Sequence, residues 1–131
     1  MASGVGERPL PDPASEKALI GLNGFAGVAK FEVPNNSTRY LVFPSSYKAG
    51  LLSVGGYGSS YDNKAGLYTV DSGSSATISL VPIKAATYSG LTITPLNNTV
   101  IQITNPAGYL WVGVLMFYGG VPTLSTTNPT A

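Results

Sequence analysis

The feature that most constrains the fold is a period of two in the apolar residues. The alternation of apolar and polar side chains is clearest in residues 77–80 and 99–104. Successive side chains of a β-strand point to opposite faces, so this alternation predicts strands with one face on a core and one toward water. A helix would instead require a period of 3.6 residues, and the middle of the chain does not follow it.

Short stretches rich in β-branched and aromatic residues recur along the chain, and each is bounded by clusters of Gly, Pro, Asn, Asp or Ser. Such residues favour strands and such clusters favour turns. The predicted strands are residues 28–33, 39–43, 51–54, 67–70, 76–81, 91–94, 100–104 and 109–117. About eight short strands within 131 residues predict an all-β fold, an antiparallel β-sandwich of jelly-roll type.

Charge and proline placement divide the chain into three parts. Residues 1–22 form an N-terminal arm, in which Pro9, Pro11 and Pro13 favour an extended backbone that cannot join a sheet interior. A short helix with Asp12 as its cap is expected to follow them. Residues 23–120 form the sandwich, and residues 121–131 are a Thr- and Pro-rich C-terminal tail.

A near-repeat lies in the middle of the chain: KAGLLSV at residues 48–54 is followed by KAGLYTV at residues 64–70. A small residue, a glycine and the start of a strand recur loosely around Gly90 and Gly108. The pattern indicates either a way of starting strands, in which glycine supplies positive φ or close approach, or a duplicated binding repeat. The spacings are unequal, which favours the first interpretation.

Composition excludes several classes of function. The net charge is +1 and the seven Lys and Arg residues are scattered singly, so no nucleic-acid partner is expected. Without His or Cys the chain lacks the usual ligands of zinc, copper and iron and the usual catalytic base. We therefore expect no enzyme, no metal and no cofactor. Asp62 and Asp71 could serve as calcium ligands, but both lie in turns, where Asp ordinarily bonds the backbone.

No segment fits a membrane or a secretory signal. The longest apolar run, residues 109–118, is about ten residues long, whereas a membrane helix needs about 20. The N-terminus has neither a basic start nor an apolar stretch. We expect no membrane span.

Aromatic residues are the remaining candidates for a binding site. Tyr57 and Tyr61 flank a glycine-rich loop and are expected to contact a glycan or a protein partner, or simply to pack. Trp111 lies in the longest apolar strand and is expected in the core or in a core shared between subunits.

The order of these features resembles small β-sandwich virion proteins of tailed bacteriophages, such as head fibres, capsid decoration proteins and tail appendages. The resemblance covers about residues 28–118 and rests on YLVF at 40–43, AGLY at 65–68, SLVPIK at 79–84, LTIT at 91–94 and NPAGYLW at 105–111. It implies a non-enzymatic virion structural protein, commonly trimeric, whose terminal arm attaches to the particle.

Two functions stay open at this point. The first is a virion subunit that binds a capsid or tail protein through its arm, with contacts from Glu7, Arg8, Pro9, Leu10 and Pro11. The second is a carbohydrate-binding module or adhesin that binds a host surface glycan through Tyr57 and Tyr61. In either case low charge and apolar strands predict a homo-oligomer, with a trimer expected.

Overall fold

The computed structural model describes residues 27–56 and 63–130. The described part is all β, as predicted, and forms nine strands. They are β1 (Gly27–Val33), β2 (Ser37–Val42), β3 (Lys48–Gly56), β4 (Gly66–Ser72), β5 (Ser79–Lys84), β6 (Thr92–Pro95), β7 (Val100–Asn105), β8 (Leu110–Tyr118) and β9 (Thr123–Ser125). Each of the eight predicted strands is present.

The strands form two antiparallel sheets. One has five strands in the order β1-β8-β3-β4-β5, and the other has four in the order β6-β7-β2-β9. Because β1 pairs with β8 in one sheet and β2 pairs with β7 in the other, early and late strands lie side by side in both sheets. The β3-β4-β5 meander stays within one sheet.

The core lies between the two sheets and is filled by the alternate residues that the period of two identifies. The largest buried apolar side chains are Val33, Leu52, Val54, Val70, Leu110, Val112 and Met116 from the larger sheet and Leu41, Ile101 and Ile103 from the smaller one. Each such side chain contributes about 1.5–3 kcal/mol relative to an exposed position. Burial of these side chains fixes which face of each strand turns inward.

Two segments differ from the expected boundaries. The strand expected at residues 76–81 begins only at Ser79, because Ile78 donates its backbone N–H to the Asn97 carbonyl oxygen instead of to a neighbouring strand. The strand also continues past Pro82 to Lys84. Pro82 is tolerated there because β5 is an edge strand. Within residues 121–131, separated as a tail on sequence grounds, β9 pairs with β2.

The two copies of the near-repeat lie in the neighbouring strands β3 and β4, which pair with each other. Gly50 lies opposite Val70 and Val54 lies opposite Gly66, so the two copies run antiparallel as neighbouring strands. A Cβ on Gly50 would meet the Leu115 carbonyl oxygen, and one on Gly66 would lie 2.9 Å from the Ala86 Cα. Gly90 and Gly108 have positive φ. The repeated glycines thus serve close approach and turns, as the first interpretation predicts.

Candidate functional site

The residues chosen from the sequence as binding sites lie outside the described residues. This holds for the five arm positions Glu7, Arg8, Pro9, Leu10 and Pro11 and for Tyr57 and Tyr61. Along the chain, Tyr57 directly follows Gly56, the last residue of β3. What the structure describes of a candidate site is therefore the surface that leads up to that loop.

Two other tyrosines serve the fold. Tyr68 and Tyr88 are buried in the core. The Tyr68 hydroxyl accepts a hydrogen bond from the Ala86 backbone N–H at 2.8 Å, and the Tyr88 hydroxyl accepts one from Gly56 at 2.9 Å. Each ring therefore fills core space while its hydroxyl satisfies a backbone donor.

Trp111 is not in the core, contrary to one of the two expectations. The inner face of β8 is formed by Leu110, Val112, Val114 and Met116, so Trp111 and Gly113 point to the outer face of the five-stranded sheet. The indole is half-buried there. The second expectation, a contact shared between subunits, stays a prediction.

A shallow trough lies on this outer face. Its volume is about 350 Å³ and its lining residues are Lys30, Ser53, Gly55, Gly56, Trp111 and Gly113. The register explains the grouping, because Gly113 lies opposite both Lys30 and Ser53, and Trp111 lies opposite Gly55. We refer to these six residues as the Trp111 trough.

Lys30 and Trp111 are in direct contact within the trough. The Lys30 Nζ lies 4.5 Å from the centroid of the Trp111 ring, a cation–π distance. This contact restrains the indole and places an ammonium group over one face of the ring. The trough therefore combines one aromatic surface, one cation and one hydroxyl, that of Ser53, above an open backbone floor.

Beside the trough, a row of aligned residues crosses all five strands and is apolar at every position except Thr69. The register aligns Val28, Leu115, Leu51, Thr69 and Val81 in that order. Val28 is 66% exposed and Val81 53%, and near the row Ile83 is 63% and Phe117 43% exposed. We call Val28, Leu51, Leu115, Val81, Ile83 and Phe117 the outer apolar patch. Exposed apolar groups in such a continuous arrangement mark interaction surfaces.

Charged side chains border the patch without entering its central row. Lys30 and Glu32 lie on β1, Asp71 on β4 and Lys84 on β5. Lys84 already donates to the Ala65 carbonyl oxygen at 2.6 Å. The row itself therefore presents no charge to a partner.

Lys48 is the one fully buried cation among the described residues. Its Nζ donates to the carbonyl oxygens of Ser45 at 2.6 Å, Ser46 at 3.3 Å and Asn98 at 2.6 Å, and to the Ser72 hydroxyl at 3.0 Å. Burial lowers the pKa of Lys48 through desolvation of the ammonium. A lysine of lowered pKa can act as a base, but this one is 0% exposed and surrounded by protein oxygens, so it serves the fold.

Residues 27–56 and 63–130 contain no group of three acidic, His or Cys side chains arranged to hold a metal ion. Asp71, weighed as a calcium ligand, lies at the exposed end of β4, and Asp62 is outside the described residues. Over the same ranges no helix is long and apolar enough to cross a membrane.

Comparisons of the chain with protein-family models, with curated proteins and with solved structures find no match.

Proposed function

We propose that the protein is a non-enzymatic structural subunit of a virion, of the capsid decoration, head-fibre or tail-appendage type. The observation that supports this function best is the outer apolar patch, in which the Val28, Val81 and Ile83 side chains are each more than half exposed. A protein whose task is to be held in an assembly requires such a surface, whereas a catalyst requires a pocket with reactive groups.

The partner proposed for the patch is a second copy of this chain. The central row carries no charge, so it offers nothing to a charged partner but matches its own counterpart on another copy. With a net charge of only +1, copies repel one another weakly. Contact of the same patch on both copies gives a two-fold dimer, whereas the trimer expected from the sequence requires the patch to meet a different surface of the next copy.

The test is the oligomeric state of variants that place a charge in the patch. We expect Val28→Lys and Val81→Lys each to shift the protein toward monomer in light scattering, because a lysine in the contact would be desolvated without a partner. Thr92→Lys, an equally drastic change at an exposed position of the smaller sheet, is the control and should leave the mass unchanged. A wild-type protein that stays monomeric at high concentration would overturn this part of the proposal.

Attachment to the particle is assigned to the N-terminal arm. Prolines at positions 9, 11 and 13 restrict the backbone and so reduce the entropy lost when the arm lies along a neighbouring capsid or tail protein. We expect deletion of residues 2–13 to leave the melting temperature nearly unchanged while abolishing incorporation into particles. Normal incorporation of the deletion variant would show that the anchor lies elsewhere.

A further inference from the structure

We propose that the Trp111 trough is a carbohydrate-binding site that takes one pyranose ring. This site is separate from the apolar row, and it differs from a glycan site made by Tyr57 and Tyr61 alone. It does not depend on the assembly role, since each copy carries a complete trough on the described residues of one chain.

The first observation is that two glycines keep the trough open although the fold does not require them. Neither Gly55 nor Gly113 has a positive φ. Among the described residues, a Cβ on Gly55 would meet only the Ala65 Cβ at 3.8 Å, an ordinary contact, and one on Gly113 would meet only the Ser53 hydroxyl, which can rotate away. A glycine inside a strand costs about 0.5–1 kcal/mol relative to alanine.

Gly50 and Gly66 provide the contrast within the same sheet. At those positions a Cβ would collide with backbone atoms of Leu115 and Ala86, so packing alone explains the glycine. At Gly55 and Gly113 packing gives no such explanation. What the two residues do provide is bare backbone beside an indole, and close approach of a ligand is an established reason for glycine in a strand.

The second observation is the chemistry around the open floor. A pyranose presents apolar C–H groups on its faces and hydroxyls around its edge, so it requires an aromatic surface together with a few hydrogen-bonding groups. Trp111 supplies the surface, the Lys30 ammonium donates to a hydroxyl or carboxylate, and the Ser53 hydroxyl can donate or accept.

Size and charge argue against other ligands. A volume of about 350 Å³ is near the lower limit of roughly 300–1,000 Å³ for ligand pockets, which suits a single ring. Among the described residues, Lys30 is the one cation that lines the trough, and one cation is too few for a polyphosphate or nucleic acid. The trough is shallow and half of its lining is glycine, so it offers little aliphatic surface for a lipid chain.

The composition provides a site-specific readout. Trp111 is the single tryptophan of the chain, so intrinsic tryptophan fluorescence reports on the trough alone. We would first screen the wild-type protein on an array of neutral and acidic oligosaccharides and then titrate any ligand found while following this fluorescence. We expect a saturable change in the emission of Trp111.

Two variants then test the site. Gly55→Val places a side chain over the floor and should weaken binding at least tenfold, while the melting temperature stays equal or rises because valine favours strands. Lys30→Ala, at an exposed position, should weaken binding several-fold and should do so most for acidic sugars. Val81→Lys is the matched control, because it lies on the same face but should change only self-association.

The outcomes separate this site from its alternatives. Unchanged sugar binding by folded Gly55→Val, with loss of binding in Tyr57→Ala, would assign the glycan to the loop tyrosines and overturn the inference. Loss of self-association in Gly55→Val without any sugar response would assign the trough to the contact between copies, which also overturns it. The inference would also be overturned if no sugar from the array changed the Trp111 emission.

Discussion

The Lys48 ammonium lies 2.6 Å from the backbone oxygen of Asn98. Lys48 begins β3 in the five-stranded sheet, and Asn98 lies in the turn that leads into β7 of the other sheet. A side chain of one sheet therefore satisfies a backbone acceptor of the other. Because carbonyl and hydroxyl oxygens replace the water lost on burial, this end of the sandwich closes without a carboxylate partner.

Replacing this cation should destabilise the fold. We expect Lys48→Met to lower the free energy of unfolding by about 2–4 kcal/mol, because the carbonyl oxygens of Ser45 and Asn98 lose their shared donor while the methionine keeps most of the volume. Chemical denaturation measures the change. Lys64→Met, at the equivalent position of the other copy of KAG, is the control and should change stability by less than about 1 kcal/mol.

Lys48 also gives the stability a pH dependence of known sign. Its pKa is lowered in the folded protein, so between that pKa and the unfolded value of about 10.4 the unfolded chain binds more protons. Stability from this group therefore rises with pH through that window and is flat below it. The difference in unfolding free energy between wild type and Lys48→Met, measured from pH 7 to 10.5, should move in favour of wild type as pH rises. A difference that falls over this range would contradict the assignment.

Asn105 should tolerate neither truncation nor a change of charge. Its buried side-chain amide donates to the carbonyl oxygens of Val33 at 2.9 Å and Gly108 at 3.0 Å. Asn105→Asp would place a carboxylate against these oxygens, so we expect a loss of at least about 3 kcal/mol at neutral pH. Protonation restores one donor, so stability should partly recover toward pH 4. Asn105→Ala should be destabilised without that recovery.

The close packing of β4 predicts a further contrast between glycines. Gly66→Ala should cost about 2 kcal/mol or more, because its Cβ would lie 2.9 Å from the Ala86 Cα, and the Ala86 N–H is held by its hydrogen bond to the Tyr68 hydroxyl. Gly73→Ala adds a Cβ that meets only the Tyr47 ring at 3.6 Å and should be nearly neutral. Thermal unfolding of the two variants in one buffer measures the difference. Equal melting temperatures would show that the 85–87 segment yields easily.

Eight of the nine strands followed from the sequence because alternation and turn residues are local signals. The pairing of β9 with β2 is a contact between distant segments, and the three residues of β9 show no alternation that could reveal it. The end of β5 was likewise predicted too early, at residue 81. A proline usually indicates the end of a strand, and only an edge strand tolerates one in its middle.

The outer face could not be identified from β8 alone. Leu110, Trp111 and Val112 are all apolar, so the strand gives no alternation to show which side turns inward. Its neighbour carries the missing signal: in β1, Lys30 and Glu32 alternate with Phe31 and Val33, and Glu32 lies opposite Trp111. Burial of Lys48 was equally hidden, because its oxygen partners come from three separate segments.

Pro82 affects whether copies of the protein can join through the edge of the five-stranded sheet. At high protein concentration an open sheet edge invites strand-by-strand polymerisation into fibrils. A proline in the middle of β5 has no N–H to offer such a growing ladder, and its ring obstructs an approaching strand. Pro82 therefore disfavours open-ended joining of copies of the protein at the β5 edge.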